Sequence, residues 1–214
     1  LCPISFIIDN NNGYVNGKIK GNTPVLYAYN HSKEITDTEF FPLSNNEIID
    51  YPIFNDQMQT VVYTSAKDQI IIKYYINHED NKIYNQYIDL HNIFLENNLK
   101  INNCRESNKE VRNYFTIIKF HPIQKNYLYI GDNKGCLYIL DTNKNNIIYK
   151  QYIGETYSID SLAFNYKGNI LSIGYETGIH IIYIINIANN TQLKFEKYLV
   201  LNNHFHSLED IKII

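Results

Sequence analysis

The sequence predicts an all-β repeat protein, a β-propeller with about four blades in this chain. Two segments are copies of each other: Tyr114 to Thr142 reads YFTIIKFHPIQKNYLYIGDNKGCLYILDT, and Ser158 to Asn186 reads SIDSLAFNYKGNILSIGYETGIHIIYIIN. Phe120 and Phe164 stand 44 positions apart, and the pairs Gly131/Gly174 and Gly135/Gly178 stand 43 apart. Each copy runs strand, Phe, polar turn, strand, Gly, three residues, Gly, strand. A unit of roughly 40–45 residues made of several short strands is the period of a propeller blade.

Taken in chain order, the first weak copy is Gly13 to Tyr29, GYVNGKIKGNTPVLYAY, with Gly17 and Gly21 at the two glycine positions. The second is Gln59 to Tyr75, QTVVYTSAKDQIIIKYY, with Ser65 at the first glycine position and Asp68-Gln69 at the turn. In each copy an apolar run meets a turn rich in Gly, Asn, Asp or Lys and a second apolar run follows, which is the pattern of a hairpin. β-Branched and aromatic residues fill the flanks, as packed strands prefer. The stretch from Asn85 to Arg112 is read as the outer strand of a blade followed by an inserted polar loop. Two strong copies follow, and the tail from Thr191 to Ile214, with KYLVL and IKII, is expected to supply outer strands of the last blade. The units are placed near 4–43, 44–112, 113–157 and 158–214. A propeller must close so that no sheet edge is left bare. The chain starts at Leu1, and Met58 is its one Met. It is therefore expected to be a fragment, the C-terminal part of a larger ring.

Composition narrows the function classes. With 214 residues and 44% hydrophobic content the chain can bury a sizeable core. Twenty Tyr and ten Phe against no Trp fit packed strands. The net charge of −3 and the scattered basic residues speak against direct nucleic-acid binding. Cys2, Cys104 and Cys136 show no CxxC spacing, so neither a disulfide framework nor a zinc site is expected, and a reduced cytosolic or nuclear compartment fits. The longest apolar run, Ile179 to Ile187, is far short of the roughly 20 residues of a membrane span. No membrane association and no signal peptide are expected.

Between Asn103 and Glu176 the motifs become specific. NNCRESNKEVRNYFTIIKFHP is followed by GDNKGCLYILD and YSIDSLAFNYKGNILSIGYE. This resembles the WD-repeat family of the Bub-three spindle-checkpoint protein and its Rae-one/Gle-two mRNA-export paralogue. In that family a strand ending in Cys-His-Arg precedes a polar loop, then a strand into Phe-His-Pro, a Gly-x-Asp-Gly turn, Trp-Asp, and a Ser-Ile-x-x-Leu-x-Phe strand. Here Asn103-Cys104-Arg105 stands in the place of Cys-His-Arg, Phe120-His121-Pro122, Ser158-Ile159 and Leu162-Ala163-Phe164 are intact, and Leu140-Asp141 replaces Trp-Asp. Lys67 to Tyr74 looks like the family's Glu-Gly-Arg-Val-Ala-Val-Glu-Tyr strand. On that register the units are the last four blades of a ring of about seven.

The resemblance implies a WD-repeat β-propeller acting as a non-enzymatic adaptor without cofactor or metal. It implies partners that carry a short Glu-rich motif, such as a checkpoint kinase or kinetochore scaffold. It places the protein in the nucleus and at the kinetochore, with a cytoplasmic pool. Family members bind the motif on the top face through arginines, whose bidentate pairing suits carboxylates. One family arginine maps onto Arg105; the other maps onto Gln69, which donates hydrogen bonds but carries no charge. Lys67 and Lys73 are the candidates for compensating. Ser-Ile-x-x-Leu-Ala-Phe looks closer to the checkpoint branch, while Phe164-Asn165-Tyr166-Lys167-Gly168-Asn169 looks closer to the export, nuclear-pore branch.

Other constellations read as structural. Asp132-Asn133-Lys134-Gly135 lacks the alternating carboxylates of a calcium loop and reads as a hairpin turn. His204 and His206 have no third ligand nearby in sequence, His121 reads as a hydrogen-bonding group at a strand end, and Cys104 as an inert thiol. There is no nucleophile elbow and no phosphate loop. The rival class, a small propeller enzyme, would need a central channel of convergent His, Asp and Glu, whereas most acids of this chain are placed in turns.

Overall fold

The computed structural model describes residues 16–18, 24–26, 30–41, 59–77, 82–89, 113–153, 157–188 and 192–202. Among them are fourteen β-strands and no helix. β1 (Asn16–Lys18) and β2 (Pro24–Leu26) form an antiparallel hairpin with Gly17 opposite Val25. Three four-stranded antiparallel sheets follow, each in sequential order. The first holds β3 (Ile35–Phe40), β4 (Gln59–Ala66), β5 (Ile70–Asn77) and β6 (Lys82–Asp89). The second holds β7 (Phe115–Phe120), β8 (Tyr127–Asp132), β9 (Cys136–Asp141) and β10 (Asn146–Tyr152). The third holds β11 (Ile159–Phe164), β12 (Ile170–Tyr175), β13 (His180–Ala188) and β14 (Gln192–Leu201).

The first strands β3, β7 and β11 lie side by side, so the sheets fan out from a common axis as propeller blades do. Each first strand is bulged at its second residue, where the pairing steps over Thr36, Thr116 and Asp160. A bulge at a repeated position sharpens the local twist. Every side chain of β9 is buried, because a neighbouring sheet covers each face. A strand buried on both faces reads as a continuous apolar run rather than an alternating one.

Side chains from facing sheets interleave in two cores. Val61, Tyr63 and Ile71 of the first sheet meet Phe120, Leu128 and Ile130 of the second. Tyr129, Leu137 and Ile139 of the second meet Leu162, Leu171 and Ile173 of the third. The same bolt recurs at both junctions: Tyr63 stands edge-on to Phe120 at 5.1 Å, and Tyr129 edge-on to Phe164 at 4.8 Å. Offset and edge-on aromatic pairs add roughly 0.5–1.5 kcal/mol beyond area burial. Gly131 leaves room for this packing, since a Cβ there would lie 2.7 Å from the Cγ2 atoms of both Ile117 and Ile159.

Two outcomes refine the sequence reading. β14 is an outer strand of the last sheet, as the KYLVL patch implied; IKII lies outside the described residues. The first complete sheet begins at Ile35, upstream of the unit boundary drawn at 44. Its β3–β4 connection spans 41–58, against 121–126 and 165–169 in the other sheets, so no repeat spacing marks it. Long connections cost little extra closure entropy.

Candidate functional site

Antiparallel order puts the β4–β5, β8–β9 and β12–β13 turns at one end of the molecule, together with the segments that lead into β3, β7 and β11. The β4–β5 turn, residues 67–69, is held from both sides. The Asp68 carboxylate accepts from the Ser32 amide at 2.8 Å, the Ile70 amide at 3.2 Å and His31 Nδ1 at 3.1 Å. His31 Nε2 lies 2.7 Å from the Thr64 hydroxyl. Both His31 and Asp68 side chains are buried, so this chain of bonds fixes the turn against the segment entering β3.

Gln69 closes the turn in the left-handed region, at φ 70, with its amide donating to the Ala66 carbonyl at 3.2 Å. The matching residues of the next two sheets are Gly135 at φ 83 and Gly178 at φ 79. Lys67 is partly exposed; its ammonium pairs with Glu34 at 2.7 Å and lies 5.7 Å from the Tyr114 ring centre. The Glu34 carboxylate raises the Lys67 pKa above its ordinary value. Tyr114 is clamped in turn: its amide donates to Asn133 Oδ1 at 2.9 Å, and the Asn133 amide donates to its carbonyl at 3.1 Å. Lys67, Gln69 and the chain entering β7 therefore share one end. Arg105 lies outside the described residues, nine positions before Tyr114 on the connection into β7.

Lys73 is placed differently. It sits at mid-strand on β5, opposite Tyr63 and Gln86, with its ammonium 4.7 Å from the Tyr75 ring centre and 5.5 Å from that of Tyr63. Burial lowers its pKa to about 8. It belongs to the sheet rather than to the turn end.

The axis side carries more acid than the sequence reading assigned. β3 presents Asp37 and Glu39, β7 presents Lys119, and β11 presents Asp160. Burial raises the pKa of all three carboxyls. Each is engaged locally. Asp37 accepts from the Ile118 amide at 2.8 Å and the Thr38 amide at 2.7 Å, stitching β3 to β7. Glu39 pairs with Lys119 at 3.0 Å, and Asp160 accepts from the Ser158 hydroxyl at 2.7 Å. Among the described residues no group of three or more His, Cys, Asp or Glu is arranged to hold a metal ion.

The Asp132 carboxylate turns back into its own hairpin, accepting from the amides of Lys134 and Cys136 and from the Tyr138 hydroxyl at 2.7 Å. Its buried position raises its pKa, chiefly through desolvation. Cys136 is disulfide-bonded, a departure from the cysteine-spacing expectation. Spacing along the chain does not report how close two sulfurs come in space. His204, His206 and Cys104 lie outside the described residues. Sequence reasoning missed Glu34 and Tyr114 at the turn end. Glu34 sits in no motif, Tyr114 opens a repeat copy without marking a site, and only tertiary contact brings them to Lys67.

No family model matches the sequence, and no curated protein matches it. Solved structures match the fold throughout. The Saccharomyces cerevisiae Sqt1 structure superposes with a TM-score of 0.55 at 14% identity, covering 94% of this chain and 47% of that one. The β-propeller domain of Myceliophteria thermophila Cps50 (Swd1) gives 0.54 at 12% identity, covering 88% and 56%. The RRP9 WD40 repeats give 0.54 at 16% identity, covering 86% and 43%. The chain spans about half the length of these propellers, and its three blade-like sheets have the WD40 β-propeller fold.

Proposed function

We propose that this chain is the part of a WD-repeat propeller adaptor that captures a Glu-rich peptide at the end carrying the β4–β5 turn. The observation that supports it is the shared placement of Lys67, Gln69 and Tyr114, with Arg105 on the same incoming connection. Lys67 supplies charge, Gln69 supplies amide donors, and Arg105 supplies the bidentate fork. Glu34 already occupies the Lys67 ammonium, so a partner carboxylate competes with it. Exposed pairs of this kind are worth only about 0–1 kcal/mol, so the exchange costs little. Lys73 contributes through the sheet that carries the turn.

The sequence motifs favour the checkpoint branch: a non-catalytic adaptor for a checkpoint kinase or kinetochore scaffold, in the nucleus with a cytoplasmic pool. The export branch is the second reading, favoured by Phe164 to Asn169. Calorimetric titration with a Glu-rich peptide tests the site. Arg105→Ala should weaken binding by roughly 1.5–3 kcal/mol, Gln69→Arg should tighten it, and Glu34→Gln should tighten it modestly. Unchanged affinity in all three variants sinks the proposal. Recovery of pore proteins and poly-adenylated RNA without kinetochore components reverses the branch.

A further inference from the structure

An ion pair holds the proton on a lysine and keeps its amine from acting as a nucleophile. Lys67 pairs with Glu34 at 2.7 Å, Lys119 with Glu39 at 3.0 Å, Lys144 with Asp141 at 3.8 Å and Lys194 with Glu196 at 2.8 Å. Lys73 has no carboxylate partner among the described residues; its ammonium meets the rings of Tyr75 and Tyr63. It is also half-buried, so water only partly replaces the missing counter-ion.

Strand register fixes what surrounds it. Lys73 stands opposite Tyr63 on β4 and Gln86 on β6, so the three share a face. The Tyr63 ring packs on Phe120, which turns that face toward the second sheet. From the second sheet, Tyr138 joins the core that holds Tyr63 and Tyr75, with Lys150 opposite it on β10 and Tyr152 packed beside that core. Asp132, two residues beyond Ile130 of the same core, spends its carboxylate on the Tyr138 hydroxyl and the amides of Lys134 and Cys136. The groups facing Lys73 are therefore tyrosines, an amide and a second cation. Burial raises the pKa of Tyr63 and Tyr138, so neither supplies a phenolate. The ring faces favour the charged form of Lys73. Burial works against it and lowers its pKa to about 8.

We propose that Lys73 is a covalent modification site, an amine that takes acyl groups from small thioesters. The neutral Nζ attacks the thioester carbonyl, the C–S bond breaks, and the amine proton leaves with the thiolate as free thiol. The product is an amide, so an unpaired, half-buried cation becomes neutral on the face between two sheets. At about pH 7.4 roughly one Lys73 in five is neutral, against about one in a thousand for an ordinary lysine. This chemistry is independent of peptide capture at the turn end.

Timed exposure of the full chain to the acetyl thioester of N-acetylcysteamine tests it, with peptide mass spectrometry reading the rate at each lysine. Lys73 should be acetylated about tenfold or more faster than the exposed Lys33, Lys167 and Lys197. Its rate should level off above about pH 8, whereas that of an ordinary lysine climbs on toward about pH 10. Lys150, whose charge Asp132 supports, should react more slowly than Lys73. Concentrated urea should erase the preference, because the fold and not the local sequence creates it. The proposal is overturned if Lys73 reacts no faster than the exposed lysines, if Lys150 outpaces it, or if the preference survives in urea. A Lys73 rate that keeps climbing through about pH 10 overturns it as well.

Discussion

The His121 imidazole fills the space that a side chain at Gly168 would need. Gly168 adopts φ 68, and a Cβ there would lie 2.2 Å from His121 Cε1 and 2.5 Å from Nε2. Gly168→Ala therefore meets both left-handed strain, roughly 1–2 kcal/mol, and a clash with a buried ring. We expect a loss of about 2–4 kcal/mol in denaturant unfolding. His121→Ala costs stability by itself but removes the obstacle. The double variant should be more stable than the sum of the two losses, a coupling that a double-mutant cycle reads directly.

The same ring makes stability fall on acidification. Burial holds the His121 pKa below its ordinary value, and its neutral form alone can accept from Ile123 and Gln124 while donating to Gly168. As pH falls below about 6.5 the unfolded chain takes the proton first, so stability is lost toward the lower folded value. His121→Gln should be less stable at neutral pH and show a shallower loss in that window. An equal slope in parent and variant, measured by urea midpoints, would remove His121 from the acid response.

Gln69 holds a position that its counterparts Gly135 and Gly178 occupy without strain. Gln69→Gly should raise stability by roughly 1 kcal/mol, because a Cβ in the left-handed region costs about that much. The expected readout is a higher melting temperature with an unchanged m-value. Lower stability would mean that the Gln69 side chain makes a contact worth more than its backbone strain.

Lys73 keeps a charge where burial disfavours it, with its pKa lowered to about 8. Between about pH 8 and 10.5 the unfolded chain holds the proton that the folded chain has released, so stability rises with pH in that interval. Lys73→Met should be more stable at neutral pH by on the order of 1–2 kcal/mol, the cation–π attraction to Tyr63 and Tyr75 offsetting part of the desolvation cost. The gap should narrow as pH climbs through the window. A constant gap would show that the ammonium reaches water.

The repeat was readable in the chain because its signals are local. The Gly131/Gly174 and Gly135/Gly178 spacing, the Phe at the end of each first strand and the apolar run of β9 mark hairpins and blades without reference to anything distant. The same locality let Ser65 be aligned with a glycine and Asp68-Gln69 be set at a turn, and it identified His121 as a hydrogen-bonding group; that Gln69 takes the left-handed place of Gly135 and Gly178 came from the structure. What tertiary structure decided lies between the sheets. Lys67 meets Glu34 and Tyr114, Asp37 reaches the Ile118 amide, and Tyr63 and Tyr129 bolt onto Phe120 and Phe164. It also set the half-buried Lys73 between the Tyr63 and Tyr75 rings and put β3 in the same sheet as β4 across residues 41–58. The physical reason is range. Turn chemistry and strand periodicity act over a few residues, whereas burial, ion pairing and ring packing depend on which sheets face each other, and sequence spacing does not encode that distance.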